Sequence, residues 1–338
     1  MLSLLALIYA KIADIRNRLY DRGIFDSHHL GAHTVSVGNI TTGGTGKTPM
    51  VAHIATILVE RGEKVCILTR GYGRENAKKR IVVSDGEQIL ANVREAGDEP
   101  LELANKLIGK AIVIADADRV SASEWAKRKF GITAIVLDDG FQHRRVKRDV
   151  DIVCIDATSP FGGGKMLPSG RLREPLHNLK RANIVVITRA NLATNIEDLK
   201  SEISELSPAA RIFDAANKIS RIVEIEDFHA KTRGPKRGDL RGIKVFAFCG
   251  IGNPYNFVQQ MEHENLDIVG SDFFPDHHFY AQEPIDRVEE HARHNGADAL
   301  VTTAKDAVKL AGIKLTLPCY VVEIEITLDD EIAFAAML

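Results

Sequence analysis

The sequence predicts an α/β protein: a doubly wound, mostly parallel sheet, then a smaller C-terminal α/β domain, the two joined by an extended β linker. Short apolar runs alternate with helical patterns along most of the chain. Several of those runs, such as "AIVIAD" and "NIVVITR", are apolar without a break, as strands buried on both faces of a parallel sheet must be. The character then changes near Leu206 to more polar, extended segments before a second strand–turn–helix series begins.

The elements follow in order. "MLSLLALIYA" is apolar, but its ten residues are too few to span a bilayer as a helix. No charged leader or small-residue cleavage site marks it as a signal peptide. Leu5, Ile8, Ile12, Ile15 and Leu19 recur at helical spacing, with Lys11, Arg16, Arg18 and Arg22 mostly elsewhere around the wheel. Residues 1–24 therefore read as an amphipathic helix, suited either to a membrane interface or to the protein's own core. "HTVSVGN" reads as a strand, "TPMVAHIATILVERG" as a helix ending at Gly62, "KVCILTRG" as a strand and "GDEPLELANKLIG" as the opening of a helix. "AIVIAD", "ITAIVLDDG", "VDIVCIDA" and "NIVVITR" continue the strands, and "RVSASEWAKRKFG" is a helix among them. Together these make a nucleotide-binding domain over residues 25–208. Residues 209–240 form the extended linker, ending in the basic connector "HAKTRGPKRGDLRG" that begins at His229. Residues 241–338 form the smaller domain, starting at "KVFAFCGIGNPYNF". Its "GIG" is an incomplete dinucleotide fingerprint, because Tyr255 occupies the third glycine place.

Composition removes several function classes. A chain of 338 residues with 45% hydrophobic and 27% charged residues is globular rather than disordered. A formal net charge of -2 and 6% aromatic content fit neither a basic nucleic-acid binder nor a single-strand stacking platform, so no nucleic-acid partner is expected. The four cysteines are widely spaced in apolar runs and read as buried free thiols. No obligate protein partner is predicted.

The stretch "VGNITTGGTGKTP" lies between a strand and a helix. Backbone N–H groups and a helix N-terminus converge on an anion in such a loop. Thr41, Thr42, Gly43, Gly44, Thr45, Gly46, Lys47 and Thr48 form the expected nucleotide-binding loop. Lys47 supplies a point charge for β- and γ-phosphates, and Thr48 a hydroxyl for magnesium. Thr41 stands where the strict pattern has glycine. "ITAIVLDDGFQH" brings Asp138, Asp139 and His143 to the end of an apolar strand, where such a site needs acidic groups for magnesium. Arg70 and Arg74 in "TRGYGR", Arg119 in "DADR" and Arg173 in "LREP" are candidates for bidentate phosphate contacts or plain surface arginines. Asp98 in "GDEP", read from the residues alone, is either a carboxylate base for a hydroxyl nucleophile or, as the position before Glu99–Pro100 favours, a helix N-cap.

"VGNITTGGTGKTP", "TRGYGR", "GDEP", "LDDGFQHRR", "LREP", "GIGNP", "FFPDHHFY" and "KDAVKL" occur in that order. The set resembles the tetraacyldisaccharide 4'-kinase family, the lipid A 4'-kinases, from the N-terminal helix to about Leu310. The resemblance implies transfer of the ATP γ-phosphate, with Mg2+, to the 4'-hydroxyl of a tetraacyldisaccharide 1-phosphate, forming lipid IVA. It implies an acylated lipid substrate and a peripheral place on the cytoplasmic face of the bacterial inner membrane. It also puts Thr41 within the pattern, Asp98 on the general base and His277 on its histidine partner, with His278 the adjacent competitor. It places Asp138, Asp139 and His143 around magnesium and phosphate without deciding which ligates directly. The chain has "FGGGK", "GRLREP" and "TAKDAVK" where the family is expected to read "FGNG", "GPLREP" and "TEKDAVK". Gly163, Arg171 and Ala304 thus stand at altered positions, expected to touch substrate-loop details rather than the nucleotide site. The rivals are a membrane-associated P-loop ATPase that acts as a switch or partition protein, and a non-ATP kinase of another sugar.

Overall fold

The computed structural model describes residues 2–230 and 240–338. The basic connector falls mostly on residues 231–239, outside the described residues. The strands are β1 (His33–Gly38), β2 (Val65–Thr69), β3 (Ile81–Ser84), β4 (Ile112–Ala115), β5 (Ala134–Asp138), β6 (Val150–Asp156), β7 (Ile184–Thr188), β8 (Arg211–Glu224), β9 (Lys244–Cys249), β10 (Asp267–Phe273), β11 (Ala299–Thr303) and β12 (Cys319–Leu328). They form one twelve-stranded sheet in the order β10-β9-β11-β12-β8-β7-β6-β1-β5-β2-β4-β3. Among the described residues, only the β3–β4 and β8–β12 strand pairings are antiparallel. The buried Val/Ile runs of β2, β4, β5, β6 and β7 are why the sequence reads as a parallel sheet covered on both faces.

The linker is a strand with two partners. Arg211–Ala215 of β8 runs parallel to β7, and Ala215–Glu224 runs antiparallel to β12. The expected extended β linker is therefore one strand that, paired with β7 and then with β12, carries the sheet from one half of the chain to the other. Its register with β12 shifts between Glu323 and Ile324. It stops being extended at Glu224, where a short helix, Ile225–Ala230, follows. We propose a division of the chain into 25–208 and 241–338, with one departure. The last residues return to the first half: Phe334 of the Glu331–Ala336 helix is fully buried edge-on against Phe213, with rings 5.3 Å apart. Ile326 and Leu328 join the same core.

Five helices of the first half matter for the site: α1 (Leu2–Asp21), α2 (Lys47–Glu60), α3 (Val93–Ala96), α4 (Asp98–Lys106) and α5 (Arg119–Phe130). In α1 only Ala6 and Asn17 are buried, while Leu2, Leu4, Leu5, Leu7, Ile8, Ile12 and Ile15 stay exposed. The alternative in which this stripe packs on the protein's own core is not what the fold does. Among the described residues no helix is long and apolar enough to cross a membrane. The turn between α3 and α4 needs glycine at Gly97: its φ is +90°, and a Cβ there would meet the Tyr72 carbonyl oxygen at 2.7 Å. Gly97 is the N-cap of α4, so the N-cap expected at Asp98 is one residue off; Asp98 is the first helical residue.

Candidate active site

A cleft of about 880 Å3 opens at the carboxyl ends of the strands and is lined from both halves of the chain and from α1. The phosphate loop leaves β1, which lies between β5 and β6. That is where the strand order reverses, the usual ligand crevice of a wound sheet. Gly43 and Gly46 take φ of +106° and +74°. The loop's carbonyls are held by groups outside it. Arg171 donates to the Thr42 oxygen from Nε at 3.0 Å and Nη2 at 2.8 Å. Arg189 Nη1 donates to the Gly44 oxygen at 3.1 Å, and the Thr188 hydroxyl to the Thr45 oxygen at 3.0 Å. Carbonyls fixed from behind leave the N–H side of the loop for an anion. Arg171 thus braces the nucleotide loop, which corrects the expectation that the altered positions leave that site untouched.

Thr42 to Thr48 line the cleft. Thr41 does not: it is buried and paired through its backbone with Leu172, so the departure from the strict glycine pattern sits outside the phosphate wall. Arg74 is a second correction. Its guanidinium is buried and spent on the carbonyls of Lys79, Ala115 and Ala77 at 2.7, 2.8 and 2.7 Å, so it pins its loop instead of facing phosphate. Arg70, Arg119 and Arg173 do line the cleft.

Asp138 and Asp139 end β5. Burial, with Glu99 and Asp139 nearby, pushes Asp138 up to about 6, against the pull of Lys47 and the Thr69 hydroxyl that donates to it at 2.8 Å. Burial pushes Asp139 the same way, but Lys47 and Arg173 outweigh it and hold Asp139 at about 2. Arg173 Nη1 reaches both Asp139 oxygens at 2.8 and 2.7 Å, and Lys47 Nζ lies 3.6 Å away. Arg119 donates to the Asp138 carbonyl at 3.2 Å. Burial, then Arg119, Arg148 and Arg145, lowers His143 to about 4, so it is neutral at pH 7, and its buried Nε2 has no hydrogen-bond partner. Among the described residues no three His, Cys, Asp or Glu side chains converge as a metal cage.

Across the cleft His277 Nδ1 lies 3.0 and 2.9 Å from the two Asp98 oxygens. Burial pushes Asp98 up, yet the hydrogen bond from His277 and the charges of Lys305 and Lys309 hold it at about 2. An ionised carboxylate only accepts, so Nδ1 is the donor and Nε2 is left for other partners. The Asp98 hydrogen bond in turn raises the proton affinity of His277 against the opposing effects of burial and Lys305. His278 is excluded as the partner: it stacks on Phe274, centroids 4.7 Å apart. Asp139, Arg189 and His277, all cleft-lining, adopt positive φ of 50°, 56° and 62°, backbone strain gathered at one site.

Sequence reasoning missed Lys106, Arg189 and Lys305 among the cleft cations. Arg189, held by Asp156 at 2.5 Å, sits at the carboxyl end of β7, and that position was the available signal. Lys305, in "KDAVKL", ion-pairs with Asp276 at 3.0 Å and Glu99 at 3.4 Å. The discarded "GIG" has a different purpose: a Cβ at Gly252 would lie 2.9 Å from the Gly44 nitrogen, so the C-terminal half can approach the phosphate loop only with glycine there.

A fold that presents an anion cradle on one wall and a carboxylate–imidazole pair on the other is that of a P-loop phosphotransferase. The family model described as tetraacyldisaccharide-1-P 4'-kinase matches residues 1–338. The chain belongs to that family. It is 37% identical over 352 residues to the tetraacyldisaccharide 4'-kinase of Halothermothrix orenii, covering 100% of this chain and 91% of the relative. The corresponding enzyme of Geobacter metallireducens is 38% identical over 331 residues, covering 98% and 94%. The "apo" form of LpxK from Aquifex aeolicus in complex with ATP superimposes with a TM-score of 0.78 at 29% identity, covering 98% of this chain and 96% of that one.

Proposed function

We propose that this cleft transfers the γ-phosphoryl group of ATP to the 4'-hydroxyl of tetraacyldisaccharide 1-phosphate, the lipid IVA-forming step of lipid A biosynthesis. The observation that carries the proposal is His277, which lines the same cleft as the phosphate loop and is backed by the buried Asp98 carboxylate, a proton acceptor placed for a hydroxyl nucleophile. The loop N–H groups and Lys47 bind the β- and γ-phosphates, and Arg70, Arg119 and Arg173 surround the transferring group. Transfer of this kind asks chiefly for alignment and charge stabilisation. The pair takes the 4'-hydroxyl proton as that oxygen attacks phosphorus, and ADP leaves.

Thr48 with Asp138 and Asp139 offers the hard oxygen donors that Mg2+ prefers, so the residues present fit that ion. When bound, Mg2+ supplies charge neutralisation at the phosphates. A neutral imidazole suits it poorly, so His143 orients a neighbouring oxygen or water rather than ligating. The exposed apolar face of α1 lies in the membrane interface, where an acylated substrate must be met. Ile12, Tyr9 and Arg16 of that helix reach the cleft mouth. Buried Glu174 ties the helix to the site, accepting from Asn17 at 2.9 Å and Gln142 at 2.8 Å. The family resemblance and this helix together support a peripheral place on the cytoplasmic face of the inner membrane.

The test is transfer of γ-labelled phosphate from Mg-ATP to tetraacyldisaccharide 1-phosphate in detergent. Labelled bisphosphorylated lipid is expected, with Lys47→Ala reduced by about 10²-fold or more. ATP hydrolysis with unlabelled lipid would instead favour the ATPase-switch class.

A further inference from the structure

Lys309 is a lysine with no exposed side-chain surface, and it does not line the cleft. It follows the Ala304–Ala307 helix in the C-terminal half. Its Nζ lies 2.9 Å from Asp306 Oδ1 and, on its other side, 3.8 Å from Asp98 Oδ2 in the first half. Asp306 is also fully buried and already accepts the Tyr280 hydroxyl at 3.0 Å and the Thr303 hydroxyl at 2.7 Å. The ammonium further lies 5.5 Å from the Tyr280 ring centroid. Asp306, held by Thr303 and Tyr280, thus sets one buried ammonium beside the carboxylate of the base. Lys305 also approaches Asp98 at 3.8 Å, but it opens on the cleft and is shared with Glu99 and Asp276. A phosphate in the cleft can draw Lys305 away; it cannot reach Lys309.

We propose that Lys309 is a positioning residue for the phosphoryl-transfer base: socketed by Asp306, it holds the Asp98 carboxylate turned to His277 Nδ1, so that the pair is complete only when both halves of the chain meet. The inference rests on the assignment of Asp98–His277 as the proton acceptor. Two buried charges brought together are seldom a gain in stability over apolar packing, whereas one left without its partner is costly. That makes the link from Lys309 to Asp98 sensitive to whether the halves are together. The charged and titratable groups facing Asp98 are Glu99 and Glu102 on its own helix, Asp276 and His277 on the 274–280 segment, and Lys305 and Lys309 backed by Asp306. Removing the Lys309 charge from this set raises the proton affinity of the pair, so the acidic limb of the rate profile moves to higher pH.

The experiment compares the full-length wild type with Lys309→Met, Lys309→Arg, the charge-balanced double variant Lys309→Met/Asp306→Asn, and Asp98→Ala, in labelled-phosphate transfer to the lipid acceptor from pH 5 to 9. Lys309→Met is expected to lower kcat by about tenfold or more, with the KM for ATP within about twofold, and to move the acidic limb upward by about half a pH unit or more. Lys309→Arg recovers most of both. Should Lys309→Met fail to fold, the double variant leaves no lone buried charge and carries the same loss of kcat, with a smaller upward move of the limb because the Asp306 charge is removed as well. Wild-type kcat and an unmoved limb in the folded Met or double variant, with Asp98→Ala inactive, would overturn the role of Lys309 alone. Near-normal Asp98→Ala would remove the base assignment and this inference with it.

Discussion

The two walls of the cleft are built in different ways. The phosphate wall is one short stretch, residues 42–48, placed by the strand and helix on either side of it and braced from behind by Arg171, Thr188 and Arg189. The acceptor wall joins groups 179 positions apart, Asp98 and His277, and neither segment alone has any reason to form a site. The first wall takes its shape from local backbone geometry, with distant groups bracing it from behind. The second depends on how the β8–β12 ribbon sets one half of the chain against the other.

The most severe way to break that contrast is at the acceptor wall. Asp98→Ala and His277→Ala should each lower kcat by about 10²–10⁴-fold while ATP binding persists. Because the two act as a unit, the double variant should be little worse than the worse single one. Multiplicative losses in steady-state rates would show two independent groups. In the wild type the acidic limb of kcat should lie above 6.5, the ordinary imidazole value, because Asp98 raises the proton affinity of His277 and a protonated imidazole cannot accept. A limb near the carboxylate range would assign the titration to Asp98 instead.

A smaller effect is expected where the cleft meets the bilayer. Leu4→Asp/Ile8→Asp removes exposed apolar surface from α1 without touching the cleft lining. Partition into phospholipid vesicles in a flotation assay should drop at least about tenfold, since each buried aliphatic side chain is worth about 1.5–3 kcal/mol. Unchanged flotation would return the helix to a role other than lipid contact.

The least effect on chemistry is expected from Arg74→Met. This variant strands the three carbonyls that Arg74 serves, so it should cost about 1–3 kcal/mol of stability by thermal or urea unfolding. kcat and KM should stay within about twofold. A selective rise in the KM for ATP would restore Arg74 to the phosphate wall.

These residues also show where sequence is legible. The parallel sheet could be read because buried strands must be continuous apolar runs, and the phosphate loop because its function is carried by neighbouring backbone groups. Arg70 and Arg74 look alike in "TRGYGR", yet one lines the cleft and the other is enclosed by carbonyls. Nothing in their spacing separates them, since the difference lies in what the chain brings past them. His277 and His278 are adjacent, and only the left-handed turn at His277 sends one ring to Asp98 while the other stacks on Phe274.

By itself, then, the sequence determined the alternation of elements, the phosphate loop, the acidic end of β5 and the amphipathic stripe of α1, because each is a periodic or contiguous pattern. Tertiary structure alone decided that Thr41 turns inward, that Arg171 and Arg189 brace the loop, that the C-terminal helix packs on the first half, and that Lys309 reaches Asp98. Each of these is a meeting of segments far apart in the chain, fixed by sheet order and burial rather than by any local run of residues.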